Sequence, residues 1–598
     1  MQNGGSIMRL HDMVTGRNGI AVRCLVVLVS LALQASPAPR AGSEPAISEK
    51  DFEQIQGDYK VAVYPAPFGF MAHDGKLFLK VGGLKGSGEE VPLIQQEDGK
   101  FVVRPGHPNA FQFALAGTRV KFTFWSVGQA FEGVRLGDPA ADQAGAGKTS
   151  AAPAIPGPNE KSRSAIQAEL QEVQQRLEKT PSDEQTRLAC ARLLYQSGEF
   201  VRARGEIRHV VKTANPPADA LALAADLEYL TGGYAEAERL YQQVASARGD
   251  DLTGRVAAMK GQLLTYYQRN QFGRARELEF PAGAVLPRAD VMRSFDKDAY
   301  QVEWAGKERI TSVPFLTTDP LPLMTIEFNG VPVSVIFDTG ADMFILDDEI
   351  ASGLGIGRIA SATGTFGGGL SAQTSFGKVD RVKLGEVTLK QVPIMILPTK
   401  KYSSAFEGGK LIIGGFIGTA ALRQFLSTID YAKGRLVLRE RSADAARGLR
   451  DQLAGRIAGE VPFVLYGTHM MMVRGRLNDK DGLTFFVDSG LASDASVTAP
   501  IQTLKHLGLA EPEQQAPDGS IVGGGGGGGV WASGSFDLET VALGSLTQSR
   551  LKGEYGARPP ESYWQCGFIV DALISHRFLR QYASWTLDFD TMTYLFER

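Results

Sequence analysis

The sequence predicts a multidomain chain: a small antiparallel β domain, then an α-helical repeat region, then an all-β unit present in two copies. Three observations carry this. Apolar and polar residues alternate in short runs between residues 51 and 136, an aromatic-x-x-Ala phrase recurs through a stretch of helical period, and an Asp-Thr/Ser-Gly triplet follows a hairpin signal twice, at 338 and 488. At 598 residues the chain exceeds what one hydrophobic core supports, and about three or four domains is the natural count. With 63 basic against 66 acidic residues, a formal charge of −3 and no long run of one sign, no nucleic-acid partner is expected.

Residues 1–41 have the layout of a signal peptide: Arg17 and Arg23, an apolar stretch over 24–35, then Ser36, Pro37 and Ala38 ahead of a polar region. The stretch falls short of the ~20 residues that a membrane-spanning helix needs. An exported protein, periplasmic or extracellular, is therefore expected, although an uncleaved signal would act as an anchor. Beyond this leader only Cys190 and Cys566 remain, too few for a disulfide scaffold, and neither C-x-x-C nor His-Glu-x-x-His occurs. No metal and no cofactor are expected.

Residues 48–136 read as a small β-barrel-like domain, with runs such as 76–81 and 120–124 between turn residues. With its Gly57-x-Tyr59 opening it resembles the accessory domain of some exported bacterial hydrolases, and it holds no catalytic constellation. Residues 137–160, rich in Ala, Gly and Pro, are a linker. Over 161–285 the period becomes helical: Ile166, Leu170, Val173 and Leu177 mark one face, and Pro181 ends that helix. The phrases Phe200-x-x-Ala203, Tyr234-x-x-Ala237 and Phe272-x-x-Ala275 follow short turns (Ser197-Gly198, Gly232-Gly233, Arg269-Asn270), with spacings of 34 (200 to 234) and 38 (234 to 272). The stretch resembles tetratricopeptide repeats over three units. An ordinary helical bundle is the other reading. Either offers a surface for a protein partner and no chemistry.

The remaining sequence, 315–445 and 455–598, carries the chemistry. In the first half the runs 324–328 and 331–337 are joined by Asn329-Gly330, a strong hairpin signal, and lead into Asp338-Thr339-Gly340-Ala341. In the second, 471–477 and 483–487 flank a turn and lead into Asp488-Ser489-Gly490. Similar phrases follow in order: Leu354-Gly355-Ile356 and Leu507-Gly508-Leu509, glycine-rich segments at 364–369 and 523–529, Phe416-Ile417-Gly418 and Leu573-Ile574-Ser575. Each half closes alike, on Leu422-Arg423-Gln424-Phe425 with Ile429-Asp430-Tyr431, and on Leu579-Arg580-Gln581-Tyr582 with Leu587-Asp588-Phe589. This is an internal duplication.

On these residues the stretch from about 320 to 598 resembles the retropepsin-like aspartic protease family, in which two units face each other and each contributes one Asp. The resemblance implies an all-β, pseudo-dimeric acid protease fold within one chain. Asp338 and Asp488 would be the catalytic carboxylates. Two carboxylates held close share a proton, so one can act as base on a water while the other acts as acid toward the peptide carbonyl, without metal or covalent intermediate. Thr339 and Ser489 would supply hydroxyls that tie the two loops together, and Gly340 and Gly490 would let backbone N–H groups approach the carboxylates. Phe366, Gly367, Gly368 and Trp531 are flap candidates; the other reading of these glycine-rich segments is surface loop.

The second half departs from the family pattern at Leu491 and Ser575, and Asp342 stands where a small polar residue is commoner. Asp342, Asp347, Asp348 and Asp494 read as solvated turn or helix-start residues, and His576 as structural. The expected function is an exported aspartic endopeptidase acting on peptide or protein substrates. The alternative is a non-catalytic scaffold that uses the helical repeats and a degenerate protease groove.

Overall fold

The computed structural model describes residues 48–61, 68–81, 84, 90–96, 100–102, 109–116, 119–126, 129–136, 161–249, 251–280, 286–365, 371–511, 533–556, 563–564 and 566–598. The expected leader (1–41), the linker (137–160) and the flap candidates Phe366, Gly367, Gly368 and Trp531 lie outside them.

The first domain is an antiparallel sheet of nine strands, in which seven of the eight pairings join strands consecutive in the chain. Its first strand, Gly57–Val61, pairs with both Phe68–His73 and the last strand, Gln129–Arg135. The strands that end the order, Glu90–Pro92 and Ile94–Gln95, are separated by buried Leu93 alone, so the sheet wraps back on itself. Alternation explains what fills it. Inward positions hold Tyr59, Phe68, Phe70, Phe111, Phe113, Phe122 and Phe124, whose rings meet largely edge to face in a core of their own.

Six helices follow: Arg163–Lys179, Glu184–Gln196, Phe200–Val210, Ala218–Leu230, Tyr234–Ala247 and Leu252–Gln268, each packed on the next. Ser162, Asp183 and Asp251 cap the first, second and sixth by accepting backbone N–H bonds. Phe200 and Tyr234 open α-helices, whereas Phe272 opens a short 3₁₀ helix, Phe272–Glu277. Ala203, Ala237 and Ala275 are all fully buried.

The helical face is not left open. Tyr195 and Phe200 pack their rings on Phe568 at 5.6 and 4.8 Å, in an apolar cluster that also takes in Cys190, Cys566, Met472 and Phe486. Ile569 N–H donates to Gln196 O at 3.0 Å. Part of the surface expected to receive a partner is thus covered by the chain's own second half.

The two β halves share a topology. In the first, the hairpin Leu323–Phe328/Val331–Phe337 has its second strand parallel to Gly415–Ile417; in the second, the hairpin Met470–Leu477/Lys480–Val487 has its second strand parallel to Ala572–Ile574. Each half adds a long hairpin, Ser371–Leu384/Val387–Ile396 and Ser533–Leu543/Leu546–Gly556. The strand Gln301–Trp304 pairs with Val387–Ile396, so the first sheet draws in residues ahead of 315.

A six-stranded sheet joins the halves. Phe425–Asp430 pairs antiparallel with Ser584–Asp588, and Ile310–Thr317, Arg435–Glu440, Thr593–Glu597 and Ile457–Tyr466 extend the ladder on either side. At its centre the hydroxyls of Thr428 and Thr586 are hydrogen-bonded at 2.7 Å, both buried. One apolar core takes in residues of both halves and of this sheet.

Candidate active site

Each strand that runs into an Asp-Thr/Ser-Gly triplet is buried on both faces at its end, which places the triplet deep in the fold. Phe337 and Val487 are buried, Asp338 N–H donates to Ile417 O at 3.1 Å, and Asp488 N–H donates to Ile574 O at 2.9 Å. The two loops therefore leave their sheets at equivalent points and meet. The Asp488 carboxyl lies against Gly340 and the Asp338 carboxyl against Gly490, so the two carboxyls act on each other across the meeting point.

Beneath them Thr339 and Ser489, both fully buried, exchange hydrogen bonds reciprocally. Thr339 N–H donates to Ser489 Oγ at 2.9 Å, and Ser489 N–H donates to Thr339 Oγ1 at 3.0 Å. The Thr339 hydroxyl also reaches Val487 O at 3.3 Å, so the two backbones are tied directly. Unpaired backbone N–H groups at this depth would cost about 1–3 kcal/mol each, and each hydroxyl removes that cost for the opposite loop.

Gly340 and Gly490 lie where no side chain fits. A Cβ on Gly340 would stand 2.5 Å from Asp488 Oδ1, and one on Gly490 would come closer still to Asp338. Their N–H groups donate to the carboxylate two residues before, Gly340 to Asp338 Oδ1 at 2.7 Å and Gly490 to Asp488 Oδ1 at 2.9 Å.

Both carboxyls are only partly exposed. Burial, and after it the charge of Asp488, raises the Asp338 pKa well above the usual carboxylate value, against the pull of the Gly340 and Ala341 N–H groups. A pair so placed holds a proton where an isolated Asp would not. Burial first, then the charges of Asp338 and Asp488 respectively, raise the hydroxyl pKa values of Tyr402 and Tyr594.

The carboxylates read as solvated in the sequence divide. Asp494 is exposed, and Asp348 stands at the start of helix Asp348–Gly353. Asp347 caps that helix but is buried, its other oxygen accepting from Thr399 N–H at 2.8 Å. Asp342 is not solvated: 6% exposed, it accepts from the Tyr267 hydroxyl at 2.8 Å and pairs with Arg288 at 2.7 Å. Burial alone would push its pKa up, but the Arg288 guanidinium leads a set of contacts that hold it below the ordinary value. The expectation of a solvated turn failed because the partners lie in the helical region, 54 and 75 positions upstream (288 and 267 against 342).

His576 is buried, its ring between Tyr431 Oη at 3.3 Å and Thr318 O at 3.1 Å, and burial lowers its pKa to about 4. Tyr267, Gln268, Arg288, Tyr402, Arg423 and Tyr594 were not singled out from the sequence, and only Arg423 carried a signal there, as part of the repeated Leu-Arg-Gln phrase.

Comparison with known proteins bears on part of this region. An aspartyl protease family model matches residues 324–419, so that segment carries the aspartyl protease pattern; it contains Asp338 and ends before Asp488. No curated protein matches the chain. Among solved structures, a retropepsin-like aspartic protease from Rickettsia conorii is similar at 17% identity, over 24% of this chain and 94% of that one, with a TM-score of 0.16. Basic 7S globulin from soybean is similar at 10% identity, over 48% of this chain and 96% of that one, with a TM-score of 0.30.

Proposed function

We propose that the chain is an exported aspartic endopeptidase whose active site forms within one molecule, from tandem retropepsin-like halves carrying Asp338 and Asp488. One observation carries the reading: two carboxyls, each set against the glycine of the other's triplet, on loops locked by the reciprocal Thr339 and Ser489 bonds. A loop Asp needs neither feature.

The chemistry follows from the shared proton. The proton belongs to the pair, which burial and mutual charge keep from releasing it, so one carboxyl stays protonated while the other is ionised to take a proton from the attacking water. The protonated member donates to the peptide oxygen as negative charge develops there, and the Gly340 and Gly490 N–H groups steady the carboxylates through the exchange. An extended peptide is the substrate class, because a groove between sheets can hold it by strand-like backbone bonds. The six helices would be a tetratricopeptide-like array fused to this unit, and the leader at 1–41 would direct the chain to the periplasm or beyond.

The test is cleavage of an unfolded protein mixture by the full mature chain from about pH 3 to 8, beside Asp338→Asn and Asp488→Asn. Loss of cleavage in each variant alone supports the two-carboxylate site. A folded wild type that cuts nothing at any pH would leave a scaffold role instead.

A further inference from the structure

Helix Leu252–Gln268 ends on two buried residues that touch both halves. The Tyr267 hydroxyl donates to Asp342 Oδ1 at 2.8 Å, and its carbonyl accepts from Arg423 Nη2 at 3.1 Å; Arg423 Nη1 also donates to the Gln268 side-chain oxygen. These contacts are to the first half. The Gln268 amide nitrogen turns the other way, donating to Gly467 O and Thr468 O at 3.2 Å each and to Tyr229 Oη at 2.9 Å, while Tyr229 donates to Gly467 O. Gly467 and Thr468 form the turn of the second half that feeds strand Met470–Leu477.

Both ends of this bridge lead to the carboxylates by short covalent paths. Asp342 follows Asp338 by four positions. Arg423 closes the turn Thr419–Leu422, in which the Thr419 hydroxyl donates to Thr339 O at 3.1 Å, Thr419 N–H to Ala341 O at 3.0 Å and Ala420 N–H to Asp342 O at 2.7 Å. On the other side Met470–Leu477 pairs with Lys480–Val487, which runs into Asp488.

We propose that Tyr267 and Gln268 are positioning residues: the last turn of the helical region clamps the Asp338 loop to the second half and sets the separation of the two carboxyls. The helices are then part of the active-site frame and not an appended module. This rests on the aspartic protease reading for its catalytic consequence, though not for its geometry. The groups coupled by charge to the pair are Tyr402 and Tyr594; those coupled to Asp342 are Arg288, His469, Tyr267 and Tyr300, and Arg423 acts on Tyr267 and Tyr300.

The experiment uses the full chain with Tyr267→Phe, which removes one hydroxyl, and the pair Gln268→Leu with Arg423→Met, which removes both partners so that no buried charge is left alone. Carbon-13 labelled aspartate, followed by NMR titration, reads the coupled pair directly, and unfolding curves establish that each variant is folded. Widening the pair weakens the mutual charge effect, so the two apparent pKa values move toward each other, the pH–rate profile narrows, and kcat falls about 10- to 100-fold with KM changed less than about 3-fold. An Arg239→Gln control, on an exposed ion pair with Glu236, leaves the titration unchanged. Folded variants whose pair titrates as in wild type overturn the proposal, as does a lower kcat with an unchanged pH profile, which marks mere loss of folded enzyme. If the clamp holds in the titration yet wild type cuts no peptide, the protease reading falls and the positioning role stands.

Discussion

The loop after Asp338 and the loop after Asp488 solve the same packing problem in two ways. In the first half the following strand crosses beneath at Gly418, where a Cβ would lie 2.5 Å from Met343 O and 2.9 Å from Ala341 O. In the second half the equivalent position is Ser575, whose hydroxyl donates to Ala495 O at 2.6 Å. The difference is loop length. Ile345 meets Phe416 across the first crossing and Thr498 meets Leu573 across the second, so the chain takes more residues to return from Asp488 than from Asp338. The longer loop leaves room for a side chain, and the side chain then satisfies a carbonyl of that loop. Ser575 is thus a compensated change and no sign of decay. What the comparison teaches is that motif mismatch at one position is readable only with the length of the segment packed on it.

Several substitutions would break or sharpen that equivalence. Asp338→Asn and Asp488→Asn are each expected to lower kcat by about 100- to 10,000-fold or more, since each removes one member of the proposed acid–base pair; unequal losses would show that the halves are not partners. Gly418→Ser should destabilise by about 1–3 kcal/mol or more, because the atoms in the way are backbone, and the midpoint of chemical unfolding reads it. Thr339→Val strands the Ser489 N–H and should cost about 1–3 kcal/mol, whereas Thr339→Ser keeps the hydroxyl and should be nearly silent.

Asp338→Asn also has a signed pH dependence. The folded pKa of Asp338 is raised above its unfolded value, so the proton is favoured by the fold. Its stabilising contribution is present below the unfolded pKa and lost as pH rises through the folded one, at about 1.4 kcal/mol per pKa unit. The Asn variant should therefore melt above wild type at neutral pH, with the gap closing on acidification. The smallest effect is expected for Ser575→Gly, about 1 kcal/mol for one hydrogen bond; a much larger loss would mean that the second crossing depends on the serine for more than filling space.

The aspartyl protease pattern around Asp338 was legible because it is written in local signals, a hairpin turn, strand runs and a triplet, whose order recurs around Asp488. The same holds for the first domain, where alternation alone set the inward aromatics. Asp342 and its partners were not legible. Tyr267, Gln268, Arg288 and Arg423 are single polar residues without period, and what buries them is the docking of helices onto strands far away in sequence. A lone Asp just after a turn looks solvated until its counter-charge is located. Phe272 failed in the opposite sense: its phrase matched Phe200 and Tyr234, yet the following residues form a 3₁₀ turn, then the short helix Pro287–Arg293 and then strand, as the chain leaves the helices for the first sheet.

The sheet that joins the halves has a consequence for how the protein behaves on dilution. Strands Phe425–Asp430 and Ser584–Asp588 are neighbours in one ladder and belong to one polypeptide, so the encounter of the two Asp loops is intramolecular. A site assembled from separate chains is governed by mass action and falls apart at low concentration. Here the partner loop is present at a fixed effective concentration in every molecule, and on the proposed function specific activity should stay constant however sparse the protein becomes.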